Sequence, residues 1–97
     1  MSERTNVEVV HNEAAQRFEA KVDGRLSVAN YHLDGSVMRM VHTEVPRELE
    51  GRGIAAALVK RAIEHARSNQ LKVAPVCSYV RTYMRRHPET RDVLETG

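Results

Sequence analysis

The chain has 97 residues, of which 41% are hydrophobic, and its formal net charge is +2. This length suits one domain that buries its own core without disulfides or a structural metal. A single cysteine excludes an internal disulfide, and the five histidines lack the paired spacing of a zinc site, so we expect no metal.

The N-terminal stretch MSERTNVEVV is charged and lacks the apolar run of a signal peptide. No segment approaches the ~20 apolar residues of a membrane span. We therefore expect a cytoplasmic, monomeric protein that has no membrane partner and forms a single domain over residues 1–97. The slight positive charge suits an anionic ligand but is too small to indicate specific nucleic-acid binding.

Residues 7–45 show the pattern of antiparallel strands. Phe18, Ala20 and Val22 alternate with charged residues, which is typical of a half-buried strand. Asp-Gly pairs at 23–24 and 34–35 suit the positive backbone angles of tight hairpin turns. We predict strands at 16–22, 25–33 and 36–45, with a fourth at 6–11.

The predicted strand at 36–45 has apolar residues on both sides. Alternation places Met38, Met40 and His42 on one side and three valines on the other. We therefore predict a central strand that is covered on both faces.

After Pro46 the hydrophobic period changes from 2 to 3.6. Leu58, Val59, Ala62 and Ile63 form one stripe, so we predict an amphipathic helix at 52–69 that packs on the sheet. The stretch LKVAPV indicates a short buried strand. SYVRTYMRRH indicates a second helix with Ser78 as its N-cap, and Pro88 ends it.

A strand, a helix and a strand in this order form a βαβ unit, whose two strands are parallel. The predicted fold class is thus α/β (α+β), an antiparallel meander followed by a βαβ unit and a C-terminal helix. The carboxyl ends of the two parallel strands meet at one edge of the sheet, where ligands of such sheets usually bind. Gly51 and Gly53 follow the first of these ends and Cys77 follows the second.

The two glycines before the long helix allow two interpretations. Gly51 and Gly53 are compatible with a plain strand-to-helix turn. Alternatively, a helix N-terminus without bulky side chains exposes backbone N–H groups and the positive end of the helix dipole, which together bind phosphate.

The stretch EGRGIAAALVKRAIEHAR, after HTEVP, resembles the acetyl-CoA signature of the Gcn5-related N-acetyltransferases. The pattern Gln/Arg-x-x-Gly-x-Gly/Ala places Gly53 and Ala55 at its small-residue positions, whereas Glu50 stands where Gln or Arg is usual. Together with APVCSYV and RRHPE, these motifs are similar to the small YjdJ-type subgroup of that superfamily, which has a reduced fold. The resemblance implies acetyl-CoA binding and Cys77 as the catalytic cysteine. It does not indicate which amine accepts the acetyl group, and we expect an acceptor that is a small molecule or a protein.

We predict that the backbone at the start of the helix binds the pyrophosphate of CoA. The second helix, with its tyrosines and arginines, either contacts the adenosine end of CoA or is a solvated surface helix. The candidate cofactor residues are Val45, Gly51, Arg52, Gly53, Ile54, Ala55, Ala56, Ser78, Tyr79, Tyr83 and Arg86.

The candidate catalytic residues are Cys77, His42 and Glu44. A helix N-terminus lowers the pKa of a thiol, which favours Cys77 as an acetyl acceptor. His42 and Glu44 are rival bases for direct attack by the amine. The alternatives to an enzyme are a CoA-binding or protein-interaction module with little turnover and, third, a nucleic-acid binder that uses the arginines of 81–91.

Overall fold

The computed structural model describes residues 7–96 and contains one mixed five-stranded sheet. The strands are β1 (Val9–Asn12), β2 (Arg17–Val22), β3 (Arg25–Asp34), β4 (Val37–Glu44) and β5 (Lys72–Pro75). They lie in chain order; β1 to β4 are antiparallel, and β5 pairs with β4 in parallel. The helices are α1 (Ile54–Ser68) and α2 (Ser78–Arg86), with 3-10 turns at Arg47–Leu49 and Pro88–Val93. The predicted meander followed by a βαβ unit is confirmed.

Each predicted element lies within a few residues of the observed one. The predicted strand at 6–11 is displaced, since β1 covers Val9–Asn12 and residue 6 lies outside the described part. The predicted helix at 52–69 begins two residues later, because Gly53 has a left-handed backbone (φ 81°) that a helix cannot include.

The core lies between α1 and one face of the sheet. Phe18, Ala29 and Met40 on the strands are completely buried, as are Leu58 and Val59 on α1. Burial of the four larger of these side chains, those other than Ala29, stabilises the fold by about 1.5–3 kcal/mol each. The second helix adds Val80 and Met84 to the same core and contacts β4 and β5.

The opposite face of the sheet has no second layer among residues 7–96. Arg39, His42 and Glu44 on β4 are exposed there, and Leu26 on β3 is 43% exposed. The prediction that this strand is covered on both faces is therefore wrong, although β4 does lie between two neighbouring strands. No helix in the described part of the chain has the length and apolar character needed to cross a membrane.

Candidate functional site

The loop before α1 needs glycine for its backbone angles. Gly51 has φ 85° and Gly53 φ 81°, in the left-handed region that other residues rarely adopt. A Cβ built on either glycine meets no atom within 4 Å. Both glycines therefore border open space, and no neighbouring group of the protein excludes a side chain from it.

The first turn of α1 presents backbone donors to this space. The Ala57 N–H donates to Gly53 O at 3.0 Å, which is the first hydrogen bond of the helix. The N–H groups of residues 54–56 therefore have no acceptor within the helix. They lie at the positive end of the helix dipole, an arrangement that favours an anion.

A cleft of about 470 Å³ lies between the end of β4 and the start of α1. Its wall consists of Thr43, Val45, Leu49, Glu50, Gly51, Gly53, Ile54, Ala55, Ala56 and Tyr79. Most of the predicted cofactor residues thus line one cleft. The exceptions are Arg52, Ser78, Tyr83 and Arg86.

The cleft forms because the two parallel strands separate. Pairing between β4 and β5 ends at Met40 and Pro75, and the Cys77 N–H then donates to Met40 O at 2.9 Å. Residues 41–44 of β4 have no partner in β5. The side of β4 that faces away from β3 forms the edge of the sheet beside the cleft here.

A β-bulge changes which side chains of β4 face the core. Tyr31 pairs with Met40 but Asn30 pairs with His42, so Val41 is the extra residue. Residues that pair across strands share a face, and Thr43 therefore lies on the core side opposite the buried Ala29. Bulges commonly re-aim side chains in this way near functional sites.

The bulge places His42 and Glu44 on the exposed face. The prediction that His42 shares a side with Met38 and Met40 is wrong, because simple alternation does not reveal the extra residue. The predicted shared face of His42 and Glu44 is correct: His42 Nε2 lies 3.3 Å from Glu44 Oε1. Both side chains are more than half exposed, and neither lines the cleft.

Cys77 lies at the junction of β5 and α2. It is the N-cap of α2, and its carbonyl accepts from the Arg81 N–H at 3.0 Å. Ser78 is the first helical residue, so the prediction of Ser78 as N-cap is wrong by one position. The Cys77 Sγ is half-buried and lies 3.7 Å from the hydroxyl of Thr43, which lines the cleft.

The surroundings of Cys77 lower its pKa below the ordinary value of a thiol. Burial acts in the opposite direction, but it is outweighed by the backbone N–H groups of Val80 and Tyr79 and by the Thr43 hydroxyl. The Cys77 side chain does not cap the helix with a hydrogen bond. The N–H groups nevertheless lie close enough to stabilise negative charge on the sulfur.

The remaining predicted residues point elsewhere. Arg52 forms an ion pair with Asp23, 2.9 Å away in the β2–β3 turn. The ring of Tyr83 stacks on His87 with centroids 4.1 Å apart, and Arg86 is exposed near the end of α2. Burial raises the pKa of both Tyr79 and Tyr83, so each hydroxyl stays protonated at neutral pH.

Three residues in the wall of the cleft, Thr43, Leu49 and Glu50, are not among the site residues predicted from the sequence. Leu49 was detectable, because it is the one apolar residue in the polar stretch RELE and is almost completely buried. Thr43 was not, because its orientation depends on the bulge.

Comparison with known proteins agrees with this geometry. The family model described as GCN5-related N-acetyl-transferase matches residues 17–93. Protein NATD1 of Xenopus tropicalis is 28% identical over 91 residues, covering 91% of this chain and 84% of the relative. Human Protein NATD1 is 28% identical over 85 residues, covering 84% of this chain and 75% of the relative.

The solution structure of a GCN5-like protein from Staphylococcus aureus has the same fold. It superimposes with a TM-score of 0.74 at 29% identity, covering 96% of this chain and 92% of that one. The family model spans strands β2 to β5, both helices and the glycine loop that borders the cleft. The chain therefore belongs to the GCN5-related N-acetyltransferase family.

Proposed function

We propose that the protein is an acetyl-CoA-dependent N-acetyltransferase, which moves an acetyl group from the CoA thioester to an amine. The observation that most supports this function is the cleft at the start of α1, with backbone donors at one end and a thiol with lowered pKa beside its wall. Within the family, the glycine motif EGRGIA followed by the cysteine motif APVCSYV supports membership of the YjdJ-type subgroup.

The residues of the cleft fit CoA. The N–H groups of residues 54–56 would donate to the pyrophosphate, and the missing side chains of Gly51 and Gly53 leave space for it. The apolar side of the cleft at Leu49 and Ile54 suits the pantetheine arm. Bound acetyl-CoA supplies an activated acetyl group as a thioester.

The end of β4 beside the cleft is suited to hold the thioester carbonyl of acetyl-CoA. The strand edge at residues 41–44 has no β5 partner, and Val45 follows it in the wall of the cleft. A backbone N–H near Val45 would stabilise the negative charge that develops on the thioester oxygen during attack. Holding the thioester and the amine together in this cleft lowers the barrier further through proximity.

Two routes lead from the thioester to the amide. In the first, the amine attacks the carbonyl carbon directly, a base takes the amine proton, and the CoA thiolate leaves. In the second, the Cys77 thiolate attacks first, forming an acetyl-Cys77 thioester as the CoA thiolate leaves. The amine then attacks that thioester and gives up its proton to a base or to the released CoA thiolate, and the Cys77 thiolate leaves and is regenerated.

The geometry favours Cys77 over the two rival bases. The Cys77 Sγ contacts Thr43 in the wall of the cleft, whereas His42 and Glu44 lie on the exposed face of the sheet. The second candidate function is a CoA-binding module with little turnover. Its main support is that His42 and Glu44, the two candidate bases, point away from the cleft. The two functions differ in whether Cys77 accepts an acetyl group.

Incubation with acetyl-CoA tests the proposal. We expect one acetyl group on Cys77, detected by intact mass and removed by hydroxylamine, followed by transfer to an added amine. Cys77→Ala should lose both reactions and keep its affinity for CoA, since the proposed donors belong to the backbone. His42→Ala, changed on the opposite face, is the matched control and should retain both. CoA binding without acetylation or transfer in the wild type would favour the binding module.

A further inference from the structure

A second cluster of polar side chains lies at the other end of α1 from the cleft. It consists of His11 on β1, Glu13 in the β1–β2 turn and His65 in the last turn of α1. One ring nitrogen of each histidine and one carboxylate oxygen of Glu13 lie within 4.8 Å of one another. This cluster is not apparent from the sequence, because residues 11 and 65 meet only through the packing of α1 on β1.

The two imidazole rings are held in place by their neighbours. The ring of His11 stacks on the ring of Phe18 with centroids 4.1 Å apart. The ring of His65 packs edge-on against the ring of His11, with centroids 4.4 Å apart. His11 Nε2 lies 2.6 Å from the Tyr31 hydroxyl, a contact that fixes the orientation of the ring. Metal-binding histidines commonly have such an outer partner.

The backbone of Glu13 is also held in place by hydrogen bonds. In the turn that carries it, the Gln16 N–H donates to Glu13 O at 3.0 Å and the Ala15 N–H donates to Asn12 Oδ1 at 3.1 Å. The Glu13 side chain itself is exposed and can reorient. Glu13 and His65 also line a cavity of about 320 Å³, which has room for water.

From this arrangement we infer that His11, Glu13 and His65 form a binding site for a divalent transition metal, for which Zn²⁺ fits best. Zinc accepts imidazole nitrogen and carboxylate oxygen together, whereas Mg²⁺ and Ca²⁺ prefer oxygen alone. Water from the adjacent cavity would complete a tetrahedron.

The distances are compatible with small side-chain movements. At metal–ligand distances of about 2.0–2.1 Å, the corners of a tetrahedron lie about 3.3 Å apart. The three ligand atoms, which are separated by up to 4.8 Å, need to approach one another by at most about 1.5 Å. Arg61, whose guanidinium lies 5.8 Å from the Phe18 ring centroid, is the nearby positive charge, and the Glu13 carboxylate offsets it.

Such a metal would join the edge strand β1, the following turn and α1. It would act at a distance from the acetyl-CoA cleft, which lies at the opposite end of α1. We therefore expect it to stabilise the fold and to leave CoA binding unchanged.

Zinc titration of the full chain, prepared without a histidine tag, tests this site. We expect one equivalent of Zn²⁺ in calorimetry, shifts of the ring resonances of His11 and His65 in NMR spectra, and no response to Mg²⁺. His65→Ala should weaken binding at least about tenfold. The matched control is His32→Ala, which removes an exposed histidine of β3. It should bind zinc like the wild type.

Glu13→Gln provides a second variant that does not disturb the core, since Glu13 is exposed. It should weaken zinc binding and reduce the rise in melting temperature that zinc causes in the wild type. The inference is overturned if Glu13→Gln binds zinc as tightly as the wild type. It is also overturned if zinc moves the resonances of His42 and Cys77 while those of His11 and His65 stay in place.

Discussion

The substitution Gly53→Asp tests the proposed pyrophosphate site most sharply when it is compared with Gly53→Asn. Both side chains have nearly the same size, and both tolerate a left-handed backbone better than other residues. At φ 81° each should lower the free energy of unfolding by about 1–2 kcal/mol. Neither should clash, because a Cβ at this position meets no atom within 4 Å.

The two variants differ in charge alone. A carboxylate roughly 6 Å from one phosphate charge is repelled by about 0.7 kcal/mol at the dielectric constant of water and by about 3 kcal/mol at an effective value of 20. The pyrophosphate carries more than one charge. We therefore expect Gly53→Asp to bind acetyl-CoA at least about tenfold more weakly than Gly53→Asn.

Calorimetric titration with acetyl-CoA measures this difference, and circular dichroism checks that each variant is folded. The difference should shrink as salt rises, because screening weakens the repulsion. Gly35→Asp is the matched control: Gly35 also has a positive φ, at 62°, and open space around its Cβ, but it lies in the β3–β4 turn. Equal affinities of Gly53→Asp and Gly53→Asn would refute the assignment of the pyrophosphate to this loop.

Three further predictions concern single side chains. The pH dependence of Cys77 alkylation should give a pKa below that of an ordinary thiol, and Thr43→Val should raise this pKa. A pKa that equals the ordinary value in both the wild type and Thr43→Val would contradict the proposed activation. Glu50→Gln should strengthen acetyl-CoA binding by about 0.2–1 kcal/mol in calorimetry, because Glu50 lines the proposed pyrophosphate site and its negative charge repels the phosphates. Weaker binding by Glu50→Gln would contradict the placement of the pyrophosphate beside Glu50. Ser27→Ala should raise the free energy of unfolding in urea by about 1 kcal/mol, since the buried Ser27 hydroxyl has no hydrogen-bond partner among the described residues; a large loss of stability would show that it has one.

The sequence was sufficient to predict the fold because local patterns and global topology agree. Alternation at Phe18, Ala20 and Val22 predicts β2, and the Asp-Gly pairs fix the hairpins on either side of β3. The stripe that includes Leu58 and Ile63 predicts the face of α1 that packs on the sheet. Each of these features depends on residues that are close in sequence.

The parts of the site that were predicted wrongly depend on tertiary structure. The bulge at Val41 results from pairing between β3 and β4 and leaves no trace in the hydrophobic pattern of β4. It turns Thr43 towards the core and His42 away from it. Likewise, His11 and His65 are 54 positions apart in the sequence, yet the packing of α1 on β1 brings their rings within 4.4 Å.

The most direct measurement of the central proposal is an amide chemical-shift titration of the full chain with acetyl-CoA. We expect the largest shifts at residues 43–56 and at Tyr79, which border the cleft, and smaller shifts at Cys77. Residues around His11 and Glu13, at the far end of the sheet, should not move. Binding that shifts other segments more than the loop at 50–54, or the absence of any shift at millimolar acetyl-CoA, would contradict the proposal that this cleft binds acetyl-CoA.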